Sequence, residues 1–180
     1  MSNRNSFGIR ELDWSVDGDA LERFDASFTT DRIYELKMRG LAAEFVEMVV
    51  DEPICKSYDL SGMRIAVAES ALGLVALVEG EIAGFMTVKV ESWNRRAWLT
   101  HLYIDPSRKG IGIGTALVDE AVRFSRRREA RGLFLETQNF NYPAIQFYLR
   151  RGFEFCGFDA SLYDPSSVPG ETAMYFSKVF

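Results

Sequence analysis

One stretch constrains the fold of this chain more than any other: Arg108-Lys109-Gly110-Ile111-Gly112-Ile113-Gly114-Thr115. It follows an apolar run, AWLTHLYI (97–104), ended by Asp105-Pro106. It opens GIGTALVDEAVRFSRRR (112–128), in which Leu117, Ala121, Val122 and Phe124 share one side of a helix. Strand, glycine-rich loop and helix form the context in which closely spaced glycines have chemical meaning. Glycine lets the backbone come close to a ligand, and the amides at a helix N-terminus face outward with partial positive charge. Arg108 and Lys109 add full charges, so the stretch predicts a loop that holds phosphate groups. A dinucleotide-binding fold would want this loop at the start of a βαβ unit, with an acidic residue about twenty positions on. Here it lies past the midpoint, after an apparent antiparallel meander. The phosphate loop G-x-x-x-x-G-K-[ST] is not matched either.

The flanking pattern predicts an α/β or α+β arrangement around a mixed sheet. FGIREL (7–12) predicts a first strand, and Asp17 or Asp19 could cap a helix carrying Ala20, Leu21, Phe24 and Phe28. RIYELKM (32–38) and EFVEMVV (44–50) alternate on either side of Gly40, which suggests a hairpin, although LAAEFVEMVV also fits a helix. MRIAVAES (63–70) and LGLVALVEG (72–80) lead to a tight turn at Glu79-Gly80-Glu81, followed by the apolar strand IAGFMTVKVES (82–92). GLFLET (132–137) predicts a strand, and YPAIQFYLRRG (142–152) a helix with Pro143 in its first turn, where proline is tolerated. FEFCGFD (153–159) and TAMYFSKV (172–179) close the sheet.

Composition narrows the classes. At 180 residues the chain has the length of a single domain with a sizeable core. No run of eighteen apolar residues could span a membrane, and the polar start MSNRNSFGIRELDWS has no signal-peptide core, which predicts a cytoplasmic protein. One histidine and two cysteines make a sulfur–imidazole zinc site improbable, so no metal is expected. Cys55 and Cys156, far apart in sequence, are expected as buried or idle thiols rather than a disulfide. The formal charge is −5, with most of the imbalance before residue 60. An acidic half could attract a cationic substrate, and equally could be a soluble surface.

Two motifs together carry a resemblance. HLYIDP (101–106) followed by Lys109-Gly110-Ile111-Gly112-Ile113-Gly114-Thr115-Ala116-Leu117 resembles the acetyl-CoA pyrophosphate motif Q/R-x-x-G-x-G/A of the GNAT superfamily of N-acetyltransferases, with Lys109 where that motif has Arg or Gln. Asn141-Tyr142-Pro143-Ala144-Ile145-Gln146-Phe147-Tyr148, then Arg151-Gly152-Phe153, resembles the family's N-x-x-A-x-x-x-Y and G-F. The resemblance implies the acyl-CoA N-acyltransferase fold, a central, mixed, mostly antiparallel sheet flanked by helices. It implies one GNAT domain over 1–180, with 1–62 on the acceptor side and 63–180 as the acetyl-CoA-binding core. Carried over, the amides of Ile111, Gly112, Ile113 and Gly114 hold the pyrophosphate with Arg108, Lys109, Gly110 and Thr115. The backbone of Leu102, Tyr103 and Ile104 pairs with the pantetheine arm, Asn141 and Ala144 contact the cosubstrate, and Tyr148 is the general acid for the departing thiolate.

Direct acetyl transfer needs a neutral amine, so a group must take its proton. His101, just before the loop, has an ordinary pKa of about 6.5 suited to a base, although strand alternation leaves open whether it or Thr100 faces the cleft. Glu91 and Glu136 are the other candidates; Glu136, at a strand end, could also bind a cationic amine or merely be solvated. Four further segments resemble streptothricin (nourseothricin) acetyltransferases: 25–31, 92–96, 135–141 and 156–164. They extend the resemblance to nearly the whole chain and imply acetylation of the β-lysine amine of streptothricin. Phe28, Asp31, Glu35, Glu91 and Trp93 are then candidate acceptor contacts. One departure stands out: Thr100-His101 occupies the place of an acidic pair in those relatives. Polyamines, aminoglycosides or protein N-termini are alternative acceptors, and a non-catalytic acyl-CoA sensor is a rival of another class. A cationic small molecule is thus the expected partner, with no nucleic acid or membrane, in a monomer or homodimer.

Overall fold

The computed structural model of the protein describes residues 6–166 and 168–180. The polar residues 1–5, part of the start expected to lack a signal peptide, lie outside the described residues. In chain order the elements are β1 (Gly8–Glu11), α1 (Trp14–Glu22), β2 (Phe28–Arg39), β3 (Ala42–Lys56), α2 (Met63–Ala68), β4 (Leu72–Val78), β5 (Glu81–Glu91), β6 (Arg96–Ile104), a 3-10 turn (Pro106–Arg108), α3 (Ile113–Arg127), β7 (Gly132–Gln138), α4 (Tyr142–Arg150), β8 (Glu154–Asp159) and β9 (Ala173–Val179). The mixed, mostly antiparallel sheet with flanking helices agrees with the expected class. The chain divides into two compact units: the residues up to Ser27 with Ser57–Phe134 and Val179–Phe180, and Phe28–Lys56 with Leu135–Lys178.

In the first unit the strands run in the order β1-β4-β5-β6, followed by the first residues of β7. The pairs β1/β4, β4/β5 and β5/β6 are antiparallel. Leu21, Met63, Val75 and Phe85, none more than 2% exposed, join α1, α2 and the sheet in one cluster, with the Phe24 ring edge-on to Phe85 at 5.2 Å. Each such side chain contributes about 1.5–3 kcal/mol on burial. α3 packs on β4, β5 and β6 through an apolar stripe that includes Leu117, Ala121 and Phe124. Gly84 makes its close approach possible, since a Cβ there would lie 2.9 Å from the Tyr103 carbonyl oxygen and 3.1 Å from Ile113.

Two expectations are corrected here. Asp13, not Asp17 or Asp19, caps α1, its Oδ1 accepting from the Ser15 amide at 2.9 Å. Asp17 is instead buried, receiving the Arg10 guanidinium at 2.6 and 2.8 Å and the Asp13 amide at 2.9 Å. The helix also ends at Glu22, so Phe28 does not belong to it: Phe28 begins β2, paired with Lys56. Ahead of β4, Met63–Ala68 forms a short helix, because Met63, Ala66 and Val67 turn one side to the core.

The second unit holds the predicted hairpin, β2 antiparallel to β3 around Gly40-Leu41, with an irregularity between Thr30 and Arg32. It also holds the rest of β7, then β9 and β8, the last two antiparallel. Asn139, 1% exposed, ties this unit together. Its Nδ2 donates to the carbonyls of Tyr34 (2.7 Å) and Gly170 (3.3 Å), and its Oδ1 accepts from the Thr172 amide at 2.8 Å. Pro143 sits in the first turn of α4, as expected. Cys55 and Cys156 are free thiols, but both are exposed rather than buried. Among the described residues, no helix is long and apolar enough to cross a membrane.

Candidate functional site

The glycine loop of the first unit has the backbone its sequence calls for. Gly110 and Gly112 take φ of +86° and +95°, a region open to glycine and strained for other residues. Gly112 is the N-cap of α3, and among the described residues no side chain caps the helix and nothing lies within 4 Å of where a Cβ would stand. The first amides of the helix have no intrahelical partner and present partial positive charge toward that space. Arg108 closes the preceding 3-10 turn, and the Lys109 ammonium reaches the Ser27 carbonyl at 3.3 Å. Thr115 lies within the first turn of α3.

β6 leads into this loop. Leu102, Tyr103 and Ile104 pair with Met86, Phe85 and Gly84 of β5, and His101 pairs with Thr87. The register then slips: Val88 faces Leu99, so Thr100 is the extra residue of a bulge. The strict alternation that would put Thr100 and His101 on opposite faces is broken there. Both reach the buried Thr87 hydroxyl, Thr100 Oγ1 at 2.7 Å and His101 Nδ1 at 2.7 Å, while Thr100 Oγ1 donates to the Thr87 carbonyl at 3.1 Å. Burial holds the His101 imidazole below its ordinary value, and the Lys89 charge acts in the same direction. At neutral pH the ring is therefore uncharged and able to accept a proton.

Beside this strand, still in the first unit, lies a cavity of about 550 Å3 lined by Glu69, Ser70, Lys89, Glu91, Trp98 and Thr100 among others. Lys89 pairs with Glu69 at 2.6 Å, and Glu91 accepts from Asn94 Nδ2 at 3.1 Å. Trp93 stands 84% exposed in the turn after β5, apart from this lining.

The second unit carries the remaining candidates. Glu136, on β7, is half-buried and accepts a hydrogen bond from Tyr163 Oη at 2.5 Å. Burial pushes its carboxyl up from the ordinary value, with Glu171 adding to the rise, while the Tyr163 bond and the Lys56 charge oppose it. Glu171, 5% exposed, is paired with Lys56. Asn141 caps α4, its Oδ1 accepting from the Ala144 amide at 3.2 Å. Tyr148 is buried, its ring edge-on to Phe147 and Phe153. Of the acceptor candidates on β2, Phe28 is buried, whereas Asp31 and Glu35 are exposed, with Glu35 3.7 Å from Lys37. The structure thus groups His101, Leu102–Ile104, the loop, Glu91 and Trp93 in one unit, and Glu136, Asn141, Ala144, Tyr148, Phe28, Asp31 and Glu35 in the other.

Sequence reasoning passed over Thr87 and Tyr163. Thr87 had a signal, as the one hydroxyl within the apolar run IAGFMTV. Tyr163 had none beyond its place in the segment 156–164.

Comparison with known proteins matches residues 32–153 to the acetyltransferase (GNAT) family. The chain is 35% identical over 168 residues to a streptothricin acetyltransferase of Streptomyces lavendulae, covering 89% of each chain. It superposes on the crystal structure of a nourseothricin acetyltransferase with a TM-score of 0.87 at 36% identity, covering 96% of this chain and 98% of that one. A Bacillus anthracis protein assigned as a streptothricin acetyltransferase, solved in complex with acetyl coenzyme A, gives a TM-score of 0.81 at 28% identity over 97% and 100% of the chains.

Proposed function

The chain belongs to the acetyltransferase (GNAT) family, and from that premise we propose that it acetylates a primary amine of streptothricin, the amine of its β-lysine part. One observation carries the acceptor: similarity to streptothricin and nourseothricin acetyltransferases runs through nearly the whole of both chains, so the acidic N-terminal part is matched as well as the glycine loop.

The family uses acetyl-CoA, and the residues present fit it: left-handed Gly112 leaves open the space a side chain would fill, in front of an uncapped helix N-terminus flanked by two cations. The amides of Ile111 to Gly114, with Arg108, Lys109, Gly110 and Thr115, are the groups that would hold the pyrophosphate. Leu102, Tyr103 and Ile104 offer backbone to the pantetheine arm, and Asn141 and Ala144 further contacts. When bound, acetyl-CoA supplies the acetyl group as an activated thioester.

The protein's own residues then handle protons and charge. His101, neutral because it is buried, takes the proton of the acceptor ammonium and frees the lone pair for attack. Glu136 offers a carboxylate to the cationic acceptor, with Asp31, Glu35 and Glu91 adding negative potential; Phe28 and Trp93 supply apolar surface. Tyr148 donates a proton to the departing sulfur. Holding both substrates together supplies proximity.

The test is CoA release from acetyl-CoA with streptothricin, set against polyamine, aminoglycoside and peptide acceptors. Fast turnover on streptothricin alone is expected. Turnover confined to another amine, or none with acetyl-CoA still bound, sinks the antibiotic as acceptor.

A further inference from the structure

The hydroxyls of Thr87 and Thr100, the Thr87 carbonyl and His101 Nδ1 make three polar contacts: 2.7 Å between Thr87 Oγ1 and His101 Nδ1, 2.7 Å between the two hydroxyls, and 3.1 Å from Thr100 Oγ1 to the Thr87 carbonyl. Each contact needs one proton. The carbonyl has none to give, so Thr100 donates there. Its oxygen can then only accept in the contact between hydroxyls, so the Thr87 proton goes to Thr100. That leaves Thr87 Oγ1 as an acceptor toward the imidazole, and the proton of that contact comes from Nδ1. Only this assignment fills all three contacts.

We propose that Thr87 and Thr100 are positioning residues that lock neutral His101 as the Nδ1–H tautomer, leaving the lone pair of Nε2 to take the acceptor's proton. The proposal rests on His101 as the base. In the step, Nε2 gains the proton that the acceptor ammonium loses. The resulting imidazolium keeps its Nδ1–H on Thr87 Oγ1, and the proton later passes to water. A neutral imidazole has one donor and one acceptor nitrogen, so a hydroxyl that donated to Nδ1 would put the proton on Nε2 and disable the base. The bulge makes the lock possible, because it puts Thr100 next to Thr87 without removing His101 from it. Thr87 is fully buried, so water does not compete for its hydroxyl.

The chain has a single histidine, so the imidazole nitrogens of untagged, 15N-histidine-labelled protein give one set of signals. Long-range 1H–15N correlation, recorded above the titration of the ring, is expected to show the Nδ1–H tautomer in the wild type and in Thr87→Ser. In Thr100→Val the Thr87 hydroxyl has lost its acceptor and turns to Nδ1. The signals are then expected to switch to Nε2–H, and kcat to fall by about tenfold or more, with acetyl-CoA KM unchanged. Thr100 is exposed, so this variant is expected to fold; Thr87→Ser is expected to keep near wild-type kcat. An Nε2–H tautomer in the wild type, or an unswitched tautomer in Thr100→Val, overturns the proposal. If the tautomers behave as expected but His101→Gln keeps full turnover, the lock stands and His101 as the base falls.

Discussion

Tyr163 Oη lies 2.5 Å from Glu136 Oε1, and Gln138 Nε2 donates in turn to that phenol oxygen at 3.1 Å. The phenol therefore points its proton at the carboxylate and stabilises the charged form. Burial and Glu171 push the carboxyl up, and burial raises the Tyr163 phenol as well. In Tyr163→Phe the bond that lowers the Glu136 titration is gone while the apolar surroundings remain. The Glu136 part of the acid limb of kcat/KM for the cationic acceptor is then expected to move to higher pH by about one unit, about tenfold on that part. Glu136→Gln is expected to remove the Glu136 part of the limb, leaving the part set by His101, and to raise acceptor KM. Its melting temperature at neutral pH should not fall, because a carboxyl whose folded titration lies above its unfolded one loses stability as pH rises through that range. An unmoved limb in Tyr163→Phe would reduce Tyr163 to a tie between loop and strand.

Gly112→Ala separates conformation from space. Among the described residues a methyl group there meets nothing within 4 Å, so the effect is that of the left-handed backbone at φ +95°. The expected destabilisation is about 1–2 kcal/mol, or about 2–4 °C in melting temperature per kcal/mol for a chain of this length. Acetyl-CoA KM is expected to rise several-fold, since the amides can keep their aim only at that strain. Gly62→Ala, with φ of −84° and equally open space, is the control and should melt no lower than wild type.

The fold was legible wherever one period ran undisturbed. α3 shows its buried stripe from Ile113 to Phe124, and the β2/β3 hairpin shows two alternating runs around Gly40. Legibility failed where tertiary contacts chose among similar residues. The sequence points to Asp17 or Asp19 as the cap, yet Asp17 is taken up by Arg10 and it is Asp13, just ahead of Trp14, that accepts from the Ser15 amide. The loop glycines could be read because their backbone demand is local. The His101 surroundings could not, because alternation presumes a regular register and the bulge at Thr100 adds a residue to it. Tyr163 and Glu136 meet across 27 positions, from a loop onto a strand, with no periodic signal to announce it.

The Asp17 carboxylate is held below the ordinary aspartate value, chiefly by its hydrogen bonds from Arg10, and it also takes the Asp13 amide. A depressed titration contributes stability that is present above the unfolded value of about 3.9 and is lost as pH falls through the folded one. Asp17→Asn is therefore expected to lower stability at pH 7 by about 1–3 kcal/mol. It should also flatten the acid side of the stability curve below about pH 4. Urea midpoints across pH 3 to 7 decide the matter: a parallel offset at every pH would mean that the ion pair contributes nothing beyond packing.

Asn139→Asp should produce the opposite pH signature. The amide nitrogen serves the carbonyls of Tyr34 and Gly170, while the amide oxygen accepts from Thr172. A carboxylate keeps the last bond but turns a second, charged oxygen toward two carbonyl oxygens at a site 1% exposed. The expected loss is about 3 kcal/mol or more at neutral pH, since a buried charge is left with one donor and faces two carbonyl acceptors. Because the variant carboxyl would titrate above its unfolded value, its stability is regained on acidification, as protonation restores one donor to the site. The gap to wild type should accordingly narrow between pH 7.5 and pH 5. Asn139→Ala, with no charge to bury, should show a smaller gap that does not change over that range. Denaturation midpoints of the three proteins at the two pH values test this directly: a pH-independent gap in Asn139→Asp would mean that the new carboxylate escapes to solvent and that the Asn139 hydrogen bonds do not hold the second unit together.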